Sequence, residues 1–311
     1  MPILVAANFT PDEWAAWWPE LQASLPGEQL VRERTSVPDD HIDVALVANP
    51  PANALRGLLG LQLVQSLWAG VDGLIADTSL PANVPLARMV DPSMNEAMAQ
   101  TALWAVLALH RGFFRYAGQQ QRAQWCPQPQ RRADEVTVAV LGLGQMGRAA
   151  AQRLAANGYR VTGWSTHAKA LAGITTHAGP ASLAQVLAAS QIVVNLLPLT
   201  PATRGLLNRQ TLAAMPRGAG LVNLARGAQV VEADLLEALA SGHLGHAVLD
   251  VFHTEPLPAD HPFWRHPKVS VLPHIAAQTE PRSAARIAAA NVRALRAGRP
   301  LENLVDRARG Y

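Results

Sequence analysis

Val138-Ala139-Val140-Leu141 runs directly into Gly142-Leu143-Gly144-Gln145-Met146-Gly147, and an alanine-rich segment follows at once. This arrangement constrains the fold more than any other stretch of the 311 residues. An apolar strand has to end, turn and enter a helix within six residues. In a strand–GxGxxG–helix unit the first glycine makes the turn. The second lets a ligand approach the backbone, and the third lets helix and strand pack closely. The helix start offers unpaired N–H groups and the positive end of the helix dipole, which suit a pyrophosphate. The same six residues also fit a tight turn with no ligand. Their setting favours a dinucleotide site, with Gly142, Gly144, Gln145, Met146 and Gly147 against the phosphates.

That setting is a chain of alternating units. Residues 136–141, 160–164, 191–196, 220–224, 247–250 and 269–272 read as six strands with helical patterns between most of them. A second alternating block precedes them, with strands at 2–7, 43–48 and 61–67. Thr10 with Glu13 carries a capping-box signature, and Pro11 suits a first helical position. Residues 93–118 read as one long helix, 119–135 as an extended polar arm and 281–298 as an amphipathic Ala/Arg helix. Strands alternating with helices imply parallel sheets covered on both faces. The expected fold is α/β, with two Rossmann-like, doubly wound parallel-sheet domains.

Composition excludes several function classes. Apolar residues make up 49% and charged residues 16%, which is globular composition. The formal charge is +3 and no basic run reaches five residues, so no nucleic-acid arm is expected. The apolar stretch at 102–109 is too short to span a bilayer, so no membrane partner is expected. A single cysteine, Cys126, excludes an intrachain disulfide and suits a reducing cytoplasm. The first nine residues read as a strand and not as a signal peptide.

Several polar residues follow strands, where open α/β sheets bind ligands. Arg226 follows the strand 220–224, and its planar guanidinium matches a carboxylate in a fork. His274 follows the strand 269–272, and its ordinary pKa lies near working pH. Glu255 can raise that pKa if it lies beside the imidazole. Asp250, at a strand end, reads either as an acceptor for a nicotinamide carboxamide or as a turn residue. Taken singly, Arg226 also fits a surface position, His274 a structural histidine and Glu255 a solvated loop. Trp68-Ala69-Gly70-Val71-Asp72-Gly73 reads either as an anion-binding nest or as a plain turn. After the strand 160–164 stand Ser165, Thr166, His167 and Lys169, with no acidic residue to repel a 2′-phosphate. Lys169 would favour that phosphate, so the preferred cofactor is expected to be NADP(H) over NAD(H).

The order and spacing of these stretches are more telling than any one of them. Gly142–Gly147, Asn195-Leu196-Leu197-Pro198-Leu199-Thr200, Asn223-Leu224-Ala225-Arg226-Gly227, the segment 250–257 and Pro273-His274-Ile275-Ala276-Ala277 together resemble the D-2-hydroxyacid dehydrogenase family, over essentially the whole chain. The loop 68–73, the segment 262–267 and the C-terminal 305–311 look like its glyoxylate/hydroxypyruvate reductase A branch. Thr166 departs from that branch, which has Arg there, and Ala48-Asn49 stands where it has an aromatic-containing stretch.

The resemblance implies an NAD(P)H-dependent reduction of small 2-keto acids, glyoxylate to glycolate and hydroxypyruvate to D-glycerate. Arg226 would bind the substrate, His274 would be the general acid and Glu255 its partner. Ala69, Gly70 and Val71 would bind the substrate carboxylate through backbone N–H groups. Asp250 would meet the carboxamide, and Leu197, Pro198, Thr203, Leu224 and Ala225 would line the cofactor site. No metal is implied. Residues 1–92 with 281–311 would form a flavodoxin-like substrate-binding domain, and 93–280 the cofactor domain, with the site in the cleft between. The helix and arm near 93–135 would mediate a homodimer, with Trp125 reaching toward the neighbouring site. Other readings are a dehydrogenase for another D-2-hydroxy acid and a non-catalytic dinucleotide sensor on the same fold.

Overall fold

The computed structural model of the protein describes residues 1–311. The chain divides into two compact α/β units, Met1–Ser93 with Thr279–Tyr311, and Met94–Gln278. Each is built on one sheet whose paired strands all run parallel.

In the first unit the strands are β1 (Ile3–Ala7), β2 (Leu30–Val31), β3 (Val44–Ala48), β4 (Leu63–Ser66) and β5 (Leu86–Ala87), in the order β2-β1-β3-β4-β5. Central β3 and β4 are buried along their whole length, as a sheet covered on both faces requires. The helix Pro11–Ser24 starts on the capping box read from the sequence: Glu13 N–H donates to Thr10 Oγ1 at 3.2 Å and Thr10 N–H to Glu13 Oε2 at 2.7 Å. The helix Pro281–Arg296 buries Ala284, Ala285, Ala288, Ala289 and Val292 completely. Small side chains on that face let its backbone lie close to its neighbours. Asn291 on the same face donates to Gln65 Oε1 at 2.7 Å and to the Glu302 carbonyl at 3.0 Å. The polar group that the helix places in this apolar seam is thereby satisfied.

The second unit holds β6 (Thr137–Leu141), β7 (Arg160–Ser165), β8 (Thr175–Ala178), β9 (Ile192–Asn195), β10 (Ala219–Asn223), β11 (Leu244–Leu249) and β12 (Val269–Val271). Their order, β12-β11-β10-β9-β6-β7-β8, reverses direction between β6 and β9. In such sheets ligands bind outside the carboxyl ends at that reversal. No helix is long and apolar enough to cross a membrane.

Three local differences from the sequence reading have physical causes. Residues 93–118 are not one helix. Pro92–His110 and Phe113–Gln121 are separate, because Gly112 takes a left-handed φ of 72° that stops the first. An unbroken apolar pattern conceals the stop. Strands β2 and β5 have two residues each, too few to show a periodicity. Strand β8, Thr-Thr-His-Ala, lies at the sheet edge half in solvent and has no apolar face to reveal it. The extended arm after Gln121 is fastened to the segment 111–116. Arg111 Nε donates to Gln130 Oε1 at 2.7 Å, Arg115 to Gln128 Oε1 at 2.8 Å, and Gln128 N–H to Tyr116 Oη at 3.0 Å.

Candidate active site

The glycine fingerprint sits at the sheet reversal, and each of its glycines answers a different steric demand. Gly142 has φ of 96°, and a Cβ there would lie 2.5 Å from the Leu196 carbonyl oxygen, in the loop after β9. A Cβ on Gly147 would lie 1.7 Å from the Gly142 carbonyl oxygen, so the third glycine is what lets the helix Gln145–Ala156 pack on the turn. A Cβ on Gly144 would meet nothing within 4 Å. Internal packing therefore does not explain glycine at 144, and the space beside it is open to a ligand. Gly144 is also the N-cap of that helix and supplies no capping side chain. The N–H groups of the first turn are left to an outside acceptor. These features fit a dinucleotide pyrophosphate.

On the adenosine side, β7 ends at Ser165. The Ser165 hydroxyl is buried and donates to the His167 carbonyl at 2.7 Å, which shapes the turn, while Thr166 is exposed. Lys169 Nζ donates to the Leu143 carbonyl at 3.2 Å, so a cation stands against the fingerprint loop itself. Across the reversal, Thr203 is buried and its Oγ1 donates to the Pro198 carbonyl at 2.6 Å. Thr203 thus fixes the Leu197-Pro198 loop from beneath. Leu224 and Ala225 are buried at the end of β10.

Three further loops of this unit bring Arg226, Glu255 and His274 into electrical contact. Gly227 permits the approach of the first two, since a Cβ there would lie 1.9 Å from the Phe252 carbonyl carbon. His274 Nδ1 pairs with Glu255 Oε2 at 2.6 Å, and Glu255 Oε1 accepts the Phe252 N–H at 2.8 Å. With the carboxylate as acceptor, Nδ1 carries a proton and Nε2 is the nitrogen left for exchange. The hydrogen bond to Glu255 raises the His274 pKa above its ordinary value. Burial and the Arg226 charge oppose that shift, while the charges of Glu255 and Asp250 support it. Burial alone would raise the Glu255 carboxyl. The His274 and Phe252 hydrogen bonds and the His274 and Arg226 charges outweigh it and hold that carboxyl below its usual range. The His274 side chain remains 51% exposed.

The backbone beneath the imidazole is unusual. His274 has φ of 55°, a left-handed conformation that costs a non-glycine residue about 1–2 kcal/mol. Asp250 holds it there. The Asp250 carbonyl accepts the His274 N–H at 3.0 Å, and its two carboxylate oxygens accept the N–H groups of Ile275 at 2.7 Å and Ala276 at 3.0 Å. Thr101 Oγ1 donates to the Ala276 carbonyl at 2.9 Å. Burial raises the Asp250 carboxyl above its usual pKa against the pull of those N–H groups. Both Asp250 oxygens thus serve the histidine loop, a job the sequence does not reveal.

In the first unit, the loop after β4 is set by aromatic packing. Trp68 meets Trp17 edge-on at 5.6 Å and Phe9 at 5.9 Å, and its carbonyl accepts the Met89 N–H at 3.1 Å. Ala69 and Gly70 follow at partial exposure, and Val71 caps the short helix Asp72–Ala76.

Comparison with known proteins decides the family. Residues 103–276 match the family model described as D-isomer specific 2-hydroxyacid dehydrogenase, NAD binding domain. The chain belongs to this family. It is an oxidoreductase by that membership. This 2-hydroxyacid dehydrogenase is 44% identical over 308 residues to the glyoxylate/hydroxypyruvate reductase A of Serratia proteamaculans (strain 568), covering 97% of each chain. To the protein of that name from Klebsiella pneumoniae (strain 342) it is 40% identical over 300 residues, 95% of this chain and 96% of that one. Among solved structures, a D-isomer specific 2-hydroxyacid dehydrogenase from Xanthobacter autotrophicus Py2, in complex with NADPH and MES, superposes with a TM-score of 0.93 at 42% identity over 99% of both chains. An NADPH-dependent glyoxylate/hydroxypyruvate reductase from Sinorhizobium meliloti, in complex with NADP and sulfate, gives 0.91 at 34% identity, over 100% of this chain and 99% of that one.

Sequence reasoning misses the amides beneath the site of this dehydrogenase. Asn195, Asn223 and Gln229 are buried and bonded to one another at the ends of β9 and β10. Asn195 and Asn223 stand in stretches that the family resemblance singles out for other reasons. Amides at two neighbouring strand ends are the available signal.

Proposed function

We propose that the protein reduces small 2-keto acids to 2-hydroxy acids, glyoxylate to glycolate and hydroxypyruvate to D-glycerate. The observation that carries this is the 2.6 Å pair of His274 and Glu255, beside Arg226, in the unit that also holds the glycine fingerprint. NADPH or NADH, when bound along residues 142–147, supplies the hydride. Arg226 binds the substrate carboxylate and carbonyl. His274 Nε2 gives its proton to the carbonyl oxygen as negative charge builds there, and the Glu255 carboxylate stabilises the imidazolium before the transfer. The substrate, one hydride and one proton account for the product alcohol.

Lys169 at the fingerprint loop, with no acidic residue at 165–167, supports a preference for NADP(H) over NAD(H). The bound NADPH and NADP of the two solved relatives support it as well. A homodimer is part of the proposal. Trp104, Phe113 and Trp125 are exposed at 44%, 55% and 97% along the helices and arm that would form it, and a second copy would cover them. Trp125 would then reach toward the neighbouring site. A cytoplasmic location fits the single free thiol, Cys126.

The test is a panel of small 2-keto acids run with both nicotinamide cofactors, followed by nicotinamide absorbance. Turnover should be highest with glyoxylate or hydroxypyruvate and NADPH. No turnover with any small 2-keto acid would sink the proposal.

A further inference from the structure

Gln229 lies three residues beyond Arg226 and is fully buried. Its Oε1 accepts the Arg226 N–H at 3.3 Å and Asn195 Nδ2 at 2.7 Å. Its Nε2 donates to the Leu197 and Pro198 carbonyls, both at 3.0 Å. A glutamine amide has two lone pairs and two N–H groups, and here all four are used. The adjoining amides continue the pattern. Asn195 Oδ1 accepts the Leu197 N–H at 3.3 Å, and Asn195 Nδ2 donates to Asn223 Oδ1 at 2.9 Å. Asn223 Nδ2 donates to the Arg226 carbonyl at 3.1 Å, and its Oδ1 accepts the Ala225 N–H at 3.3 Å. Reversing any one amide would set donor against donor, so the network has one self-consistent orientation.

We infer that Gln229 is a positioning residue that couples two loops: the one carrying Arg226 and the Leu197-Pro198 wall of the cofactor site. Its oxygen end holds the backbone of the substrate-binding arginine, and its nitrogen end holds the two carbonyls of the cofactor wall. A shift of either loop is felt by the other through one rigid side chain. The inference rests on the 2-keto acid reading for the role of Arg226 and on the fingerprint for the role of the wall.

Two variants separate the ends. Gln229→Met keeps the side-chain volume and removes both. Gln229→Glu keeps the acceptor toward Arg226 and Asn195 but sets a carboxylate oxygen against the Leu197 and Pro198 carbonyls. Ser190→Ala is the control. It removes a buried hydrogen bond of 2.7 Å to the Val186 carbonyl, away from the site. Each full-length variant is measured by thermal unfolding, by fluorescence titration with NADPH in the absence of substrate, and by the KM and kcat for the best keto acid.

Gln229→Met should raise both the NADPH Kd and the keto-acid KM by about tenfold, the cost of one buried hydrogen bond, with a smaller effect on kcat. Gln229→Glu should raise the NADPH Kd by a similar factor and leave the keto-acid KM within about twofold of wild type. Ser190→Ala should lower Tm and move neither constant. The inference is overturned if Gln229→Met leaves both constants at wild-type values. It is equally overturned if the two Gln229 variants are indistinguishable, or if Ser190→Ala shifts the constants as they do. Absence of wild-type turnover would fault the keto-acid reading alone, because the NADPH titration still reports on the wall.

Discussion

Replacing Gly144 by Ala adds one methyl group at a point where the protein has nothing within 4 Å to obstruct it. The backbone at 144, with φ of −71°, suits alanine. The fold should therefore barely register the change. Alanine is a poorer N-cap than glycine, which costs about 0.5–1 kcal/mol. For a unit of this size that lowers Tm by roughly 1–4 °C. The methyl group would, however, occupy the space into which a pyrophosphate must come to meet the uncapped N–H groups of the first helical turn. Two charge-assisted hydrogen bonds lost at about 1.5 kcal/mol each give about 3 kcal/mol, or more than a hundredfold in Kd. Gly147→Ala is the converse case. Its methyl carbon would start 1.7 Å from a backbone oxygen that no rotamer change can move, so the turn itself must deform. Overpacking of that kind costs about 3 kcal/mol or more. Titration with NADPH beside thermal unfolding reads both effects. Gly144→Ala should fold and fail to bind, whereas Gly147→Ala should unfold early. Wild-type NADPH affinity in Gly144→Ala, or equal destabilisation by the two changes, would refute the assignment of 142–147 to the phosphates.

Three other outcomes are expected. His274→Ala should lower turnover by about a hundredfold or more while NADPH still binds, as steady-state rates beside the same titration will tell. Glu255→Gln removes the carboxylate charge and weakens the hydrogen bond that together raise the His274 pKa. Reduction needs the imidazolium and fades as pH rises through that pKa, so the fall in kcat/KM with pH should begin at lower pH in the variant. A pH profile unchanged from wild type would contradict the pairing. Lys169→Ala should weaken NADPH by about tenfold and leave NADH nearly unaffected, a comparison of two Kd values.

Much of the fold and of the candidate site is legible in the amino-acid sequence, for identifiable reasons. The fingerprint can be read because strand, glycines and helix are contiguous, and one steric argument covers all six residues. Arg226, Glu255 and His274 can be read because each follows a strand in the order the family uses. Gln229 cannot. Its partner Asn195 is 34 residues earlier, and only the parallel pairing of β9 with β10 brings the two together. Asp250 reads either as a ligand group or as a turn residue. Its hold on the backbone of Ile275 and Ala276, 25 and 26 residues onward, belongs to tertiary geometry. The stop at Gly112 is hidden because apolar residues continue on both sides of it. Charge places Lys169 on the adenosine side of the fingerprint, and the structure adds its contact with Leu143.

Arg226, Glu255, His274, Gln229 and the fingerprint all come from a single uninterrupted stretch of polypeptide, Met94–Gln278. The other unit is split around it in sequence and carries the Trp68–Val71 segment. A recombination event with breakpoints at 93/94 and 278/279 would therefore transplant the imidazole, its carboxylate, the guanidinium and the glycine-rich loop as one inherited cassette. The flanking sequence would be free to drift without rebuilding that cluster.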